Sequence, residues 1–143
     1  MTQVVAIGND HAGVALKTAL LAEVEACGFT PLDLGTATTD SVDYPDYGYA
    51  VARAVTEGRA KLGIAICGSG IGISIAANRI AGARAALCHT GLGAELARRH
   101  NDANILALGA RMIGEAEAKE CTRRFLTTGF EGGRHAARVE KLK

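Results

Sequence analysis

Proline is nearly missing from this chain, with 2 residues against 18 glycines. Many glycines without prolines exclude a stiff or flexible linker and point to tight βα turns and close approach of backbone to a ligand. Long apolar runs are missing too. None approaches the ~20 residues that a membrane-spanning helix needs. No basic segment precedes the first apolar run, so no signal peptide is visible. A surplus of either charge is also lacking, and the net charge of +1 excludes nucleic acid or membrane held by bulk charge. The four cysteines, Cys27, Cys67, Cys88 and Cys121, form no CxxC pair and read as reduced, mostly buried thiols. No H-x-H, H-x-x-x-H or Cys/His cluster is present, so no metal is expected. The chain is therefore expected to be soluble and cytoplasmic.

What is present is ordinary globular composition, 48% hydrophobic and 22% charged over 143 residues, suited to one domain over 1–143. Short apolar β-branched runs alternate with helical spacing. VVAIG (4–8), FTPLDLG (29–35), LGIAIC (62–67), ARAALC (83–88) and NILALG (104–109) read as strands. Helices are expected over 12–27, around 47–57, and over 71–79, 91–100 and 114–127. Pro45 is expected to force Tyr44 into an extended conformation. Five strands with helical crossovers imply an α/β fold with a parallel sheet covered on both faces.

In such sheets ligands sit beyond the carboxyl ends of the strands. That rule selects Asp10 and His11, Gly35 and Thr36, the stretch Cys67 to Gly72, Cys88 and His89, and Gly109 to Arg111. The loop GSGIG is not a dinucleotide fingerprint: its spacing is G-x-G-x-G and it follows the third strand. It is not a P-loop either, since it has no lysine. Its glycines let backbone N–H groups converge at a helix start, a place for an oxyanion or phosphate. Cys67 is then either a small core residue ending a strand or a usable base or nucleophile. Ser69 is a turn residue or a hydroxyl donor, and Ser74 a helix-surface residue. Asp10 reads as an N-cap or a site residue. His100 and Asn101 read as a helix cap with Asn101 in a left-handed turn, or His100 as a proton-transfer histidine. His89 and His135 show no spacing relation to the other histidines. Arg111, with Arg134 and Arg138 four apart, is part of a solvated basic surface or of a phosphate clamp.

Taken together, GNDHAG (8–13), DYPDY (43–47), ICGSGIGISIAANR (66–79), RHNDANILALGAR (99–111) and EGGRHAARV (131–139) resemble the ribose-5-phosphate isomerase B family. That family also includes galactose-6-phosphate and allose-6-phosphate isomerases. The resemblance covers essentially the whole chain. It implies a three-layer α/β/α Rossmann-like sandwich with a five-stranded parallel sheet, a homodimer or tetramer, and no metal or organic cofactor.

By that resemblance Cys67 is the base that moves a proton between C1 and C2 of an aldose phosphate. Gly68, Ser69, Gly70, Ile71 and Gly72 hold the developing oxyanion, and His100 opens the sugar ring. Asp10, His11, Tyr44 and Asn101 touch the substrate, while Arg111, Arg134 and Arg138 bind its phosphate, the last two from the tail 128–143. His100, Asn101 and Arg111 are implied to come from the partner chain. A subgroup of the family uses a glutamate where Ile73 stands here, and Ile73 cannot take a proton. Asn9 replaces a residue that is commonly small. The rival readings are a hexose 6-phosphate isomerase and a non-catalytic sugar-phosphate-binding protein on the same fold.

Overall fold

The computed structural model describes residues 2–143. Five strands, β1 (Val4–Asn9), β2 (Thr30–Asp33), β3 (Leu62–Cys67), β4 (Ala85–Leu87) and β5 (Ile105–Gly109), form one parallel sheet in the order β2-β1-β3-β5-β4. Between and after them run α1 (Val14–Ala26), α2 (Tyr44–Thr56), α3 (Ile71–Asn78), α4 (Gly91–Asn101), α5 (Glu115–Thr127) and a short α6 (Ala136–Glu140). The result is the expected three-layer α/β fold.

The two faces of the sheet are unlike, and the difference starts in the alternation of β3. Leu62, Ile64 and Ile66 point to one face and Gly63, Ala65 and Cys67 to the other, because side chains alternate along a strand. The first face carries the large core: Ile7, Ile64, Ile66, Leu106 and Leu108 meet α1, α4 and α5 through residues such as Leu20, Val24 and Phe125. The second is built of Ala6, Ala65, Ala107 and Cys67 against Val51, Ala54 and Ile73 of α2 and α3. Small residues let α2 lie close; a Cβ on Gly63 would fall 2.5 Å from Val51 Cγ1. Cys67 thus ends a strand whose residues are all buried, on the tightly packed face.

Helix α2 begins differently from expectation. Tyr44 is its first residue and Pro45 follows inside the first turn; the extended residue is Asp43. Proline is tolerated there because the missing N–H has no intrahelical partner to lose. Helix α4 closes with Asp102 at φ +46. Asn101 is its last helical residue, so the left-handed position falls one residue later than the sequence suggested.

The strand order reverses between β1 and β3. The chain leaves β1 towards α1 on one face and leaves β3 towards α3 on the other, which opens a crevice beyond their carboxyl ends. Phe125, fully buried among the large residues of the first face, has no bearing on that crevice. Phe125→Ala is expected to lower unfolding stability by about 3–5 kcal/mol in denaturant titration. A loss below about 1 kcal/mol would contradict the assigned core.

Candidate active site

The crevice between β1 and β3 holds a cavity of about 560 Å³ lined by Asp10, His11, Tyr44, Cys67, Ser69 and Arg111, with the rest of the glycine loop. Its floor is the turn Cys67–Gly70. Gly70 adopts φ +77, a conformation costly for any side chain, and a Cβ there would meet Leu87 Cδ1 at 2.5 Å and the Leu108 carbonyl carbon at 2.8 Å. The turn therefore lies directly on the backbone of β5. The Gly70 N–H donates to Cys67 Sγ at 3.2 Å, and the Ile71 N–H donates to Ser69 Oγ at 3.2 Å. Ile71 and Gly72, the first residues of α3, thus line the cavity at the positive end of a helix.

The loop after β5 is latched to the same turn. The Ala110 N–H donates to the Cys67 carbonyl at 2.8 Å and the Arg111 N–H to the Gly68 carbonyl at 2.9 Å. This brings the guanidinium of Arg111 over Gly68, where a Cβ would stand 2.9 Å from Nη1. Arg111 belongs to the pocket of its own chain, against the implication that it reaches the site from a partner. Tyr44 lies across Gly72, whose Cβ would sit 2.5 Å from Tyr44 Cζ.

On the opposite wall Asp10 is buried and accepts from the Ala12 N–H at 3.0 Å, capping the 3-10 turn His11–Gly13. His11 Nδ1 accepts from the Val42 N–H at 3.2 Å, leaving Nε2 free of that bond. Asn9 is fully buried and explains its own departure from a small residue. Its amide donates to the Asp10 carbonyl at 2.8 Å and the Thr36 carbonyl at 3.2 Å, tying the end of β1 to the segment after β2. Lys17, also buried, adds a bond to the Thr36 carbonyl at 2.8 Å and an ion pair to Asp33 at 3.2 Å.

The other expected site residues lie elsewhere. Helix α4 runs back across the sheet, so His100 and Asn101 sit by the start of β5, whereas Cys67 pairs with its end at Gly109. Five residues of strand separate the two levels by roughly 16 Å. Arg134 and Arg138 are exposed on the tail beside His100, and Asn101 lines a separate cavity of about 410 Å³ with Asn78, Arg84 and Leu142. Arg84, Arg98, Arg99 and Arg124 all have carboxylate partners. Arg111, Arg134 and Arg138 have none among the described residues. His89 is exposed and belongs to neither group.

A cluster that the sequence did not suggest surrounds His100. His135 stacks on it with ring centroids 4.3 Å apart and planes 15° from parallel. Glu131 lies 3.7 Å from His135 Nε2 and 4.0 Å from His100 Nε2, and also pairs with Arg99 at 3.0 Å. Only the four-residue spacing of Glu131 and His135 was a signal in the sequence. The three ligand atoms lie within 4.8 Å of one another, yet the set does not suit a metal. A metal lies in the plane of each imidazole at about 2 Å, and two stacked, near-parallel rings share no such point.

The remaining thiols are inert by environment. Burial pushes Cys88 and Cys121 up to about 11, and burial with the nearby Glu23 raises Cys27.

The sequence profile of the family described as Ribose/Galactose Isomerase matches residues 5–142. The chain belongs to this family. Among its members, the ribose-5-phosphate isomerase B of Escherichia coli is 45% identical over 138 residues, covering 96% of this chain and 93% of that protein. The D-erythrulose-4-phosphate isomerase of Pectobacterium atrosepticum is 42% identical over 139 residues, covering 96% and 91%. The fold is shared as well. The type B ribose 5-phosphate isomerase of Trypanosoma brucei superposes with a TM-score of 0.97 at 46% identity, over 100% of this chain and 98% of that one. The ribose-5-phosphate isomerase B of Clostridium thermocellum gives 0.94 at 47% identity, over 97% and 94%.

One consequence of the histidine cluster can be measured directly. Burial, then the charges of His100 and Arg134, lowers His135 from its ordinary 6.5, against the opposing pull of Glu131. The folded ring thus holds its proton more weakly than the unfolded chain does. Its contribution to stability is full above pH 6.5 and is lost as pH falls through and below that value. The thermal midpoint is expected to fall from about pH 7 to about pH 5, and to fall less in His135→Phe. Identical pH dependence in the two proteins would contradict it.

Proposed function

We propose that the protein is an aldose–ketose isomerase interconverting ribose 5-phosphate and ribulose 5-phosphate, without a metal or cofactor. One observation supports this above the others: Cys67 meets the amides of the GSGIG turn, with Arg111 above them, in a cavity sized for a small phosphorylated sugar. Family membership and the named relatives give the substrate class. Proton abstraction beside a carbonyl needs a base and a stabiliser for the oxyanion. The Cys67 thiolate takes the proton from C2, the resulting cis-enediolate places its charge on O1 against the loop amides and Ser69, and the proton returns at C1. A proton passes from O2 to O1 in the same exchange, which leaves a ketone at C2. Each such donor typically contributes a factor of ~10²–10³, so the glycine turn matters as much as the thiol. Asp10, His11 and Tyr44 position the chain of hydroxyls.

Only the open-chain aldehyde can isomerise, so the furanose must first open. His100 donates a proton to the ring oxygen as its bond to C1 breaks, and the anomeric hydroxyl gives its proton to solvent water, which leaves the C1 aldehyde. His100, Asn101, Arg134 and Arg138 lie at the far level of the same chain, and no rearrangement within the fold brings them to Cys67. A second copy does. In a two-fold dimer the far end of each chain meets the crevice of the other, so each of two sites takes Cys67 and Arg111 from one subunit and His100 and the tail arginines from its partner. Ile71 and Ile75, exposed on α3 at the rim of the crevice, give that contact an apolar element. A hexose 6-phosphate as substrate is the second reading; a relative named as a D-erythrulose-4-phosphate isomerase supports a substrate chain length that differs between relatives.

The test is ketose formation from ribose 5-phosphate. Cys67→Ala is expected to lower kcat at least ~10³-fold while ribose 5-phosphate still binds; normal turnover would remove Cys67 as the base. A shared site makes a second, sharper prediction. Cys67→Ala and His100→Ala chains, each inactive alone on ring-closed substrate, are expected to regain about a quarter of wild-type activity when refolded together in equal amounts. Half of the dimers are then mixed, and each mixed dimer has one complete site. No recovery on mixing would place both residues in one subunit.

A further inference from the structure

We propose that His135 is a positioning residue for His100: its buried ring holds the partly exposed imidazole in one plane, ready to protonate a sugar ring oxygen. The inference rests on the assignment of His100 to ring opening and extends it to a residue that neither contacts the sugar nor carries charge.

Three observations lead to it. First, the contact is a stack rather than a hydrogen bond. The rings are 4.3 Å apart and 15° from parallel, and His135 Nε2 is buried with no hydrogen-bond partner. The one polar group near this ring, the Glu131 carboxylate, stands 3.7 Å from Nε2, beyond hydrogen-bond reach, so the face against His100 is its defining contact. Second, the tail is turned on purpose-built backbone to make the contact. Gly132 and Gly133 have φ +71 and +55 in succession, and no neighbouring atom crowds either Cβ position. The glycines are therefore required by conformation, not by space. They swing the chain so that the Glu131 N–H donates to the Arg99 carbonyl at 3.0 Å and His135 comes to rest beneath the end of α4. Third, the surroundings keep His135 uncharged. Glu131 is its one acidic neighbour, and that carboxylate is already paired with Arg99. Arg134, Arg138 and His100 all oppose a proton on it. Two imidazolium rings at this separation would repel, so a charge on His135 is disfavoured beside His100.

The division of labour within the tail then follows from adjacent residues. Arg134 and Arg138 are exposed and unpaired among the described residues, free to meet phosphate. His135 between them points inward and orders the acid. Loss of the stack leaves His100 at the end of a helix with its side-chain torsions free, and general acid catalysis depends on a donor held within hydrogen-bond reach.

The experiment uses the whole protein with His135→Ala and His135→Phe. His135→Ala is expected to lower kcat on ribose 5-phosphate about tenfold with KM within about twofold. Binding of an open-chain phosphorylated hydroxamate, which needs no ring opening, is expected to be unchanged. His135→Phe, which returns a flat ring without nitrogens, is expected to recover most of the kcat. In NMR spectra the His100 ring signals shift in His135→Ala, because the ring current of the neighbour is gone. Unchanged kcat in His135→Ala, a loss confined to KM, weaker hydroxamate binding, or a Phe variant no better than Ala each overturns the inference. Absence of ribose 5-phosphate turnover in the wild type overturns the proposed function instead, and the His100 signals then decide: no shift on His135→Ala sinks the stack.

Discussion

Everything at the crevice depends on how closely the turn after β3 lies against the backbone of β5. Gly70 in the left-handed region and Gly109 beneath the Ser69 carbonyl have no space for even a methyl group. This approach sets the start of α3 beside the cavity and fixes the Cys67 sulfur against the Gly70 amide. It also lets the loop after β5 bond back to the turn and lay Arg111 over Gly68. The Cys67 thiol, the glycine turn and the Arg111 guanidinium are thus one rigid unit. It rests on a sheet face made of alanine and glycine, where α2 and α3 pack close.

His100, Asn101 and the tail obey a different constraint. A helix that follows a parallel strand must return to the sheet's other end, so the last turn of α4 is carried away from the strand ends where ligands collect. The tail joins it there. The chain carries two groups of polar side chains at opposite levels, each with arginines that have no carboxylate partner among the described residues. Under the proposed function a second copy joins the two levels, and a mutation at that contact would act on activity before it acted on stability.

Much of this was legible in the residues. Continuous apolar runs such as LGIAIC have no helical alternative at that length, and the glycines that follow them mark turns, so five parallel strands and the strand-end loops were readable. Asp10, His11, Cys67, Ser69 and Arg111 all lie on such loops, and they converge. Tyr44 misled in detail, since proline's rule for its predecessor yields when proline opens a helix; the extended residue moved to Asp43. Arg111 was assigned by resemblance to a partner, but two backbone hydrogen bonds after β5 hold it in its own pocket. The stack of His135 on His100 was not readable. It joins residues 35 positions apart through a turn of two left-handed glycines, and no periodicity encodes such a contact. Asn9, too, gained a reason only when its amide could be seen to bridge Asp10 and Thr36.

Asn9 also restricts how the crevice can change over time. Its side chain fills the space beside Gly35 so fully that a Cβ on residue 35 would overlap its amide oxygen. Shortening Asn9 would not open the position either, because its backbone nitrogen would still stand 2.8 Å from that Cβ. Residue 35 is thus held to glycine twice, once by a side chain and once by the strand behind it. Along this wall the crevice can be reshaped at position 9 but not at position 35, so variation beside Asp10 has a single point of entry.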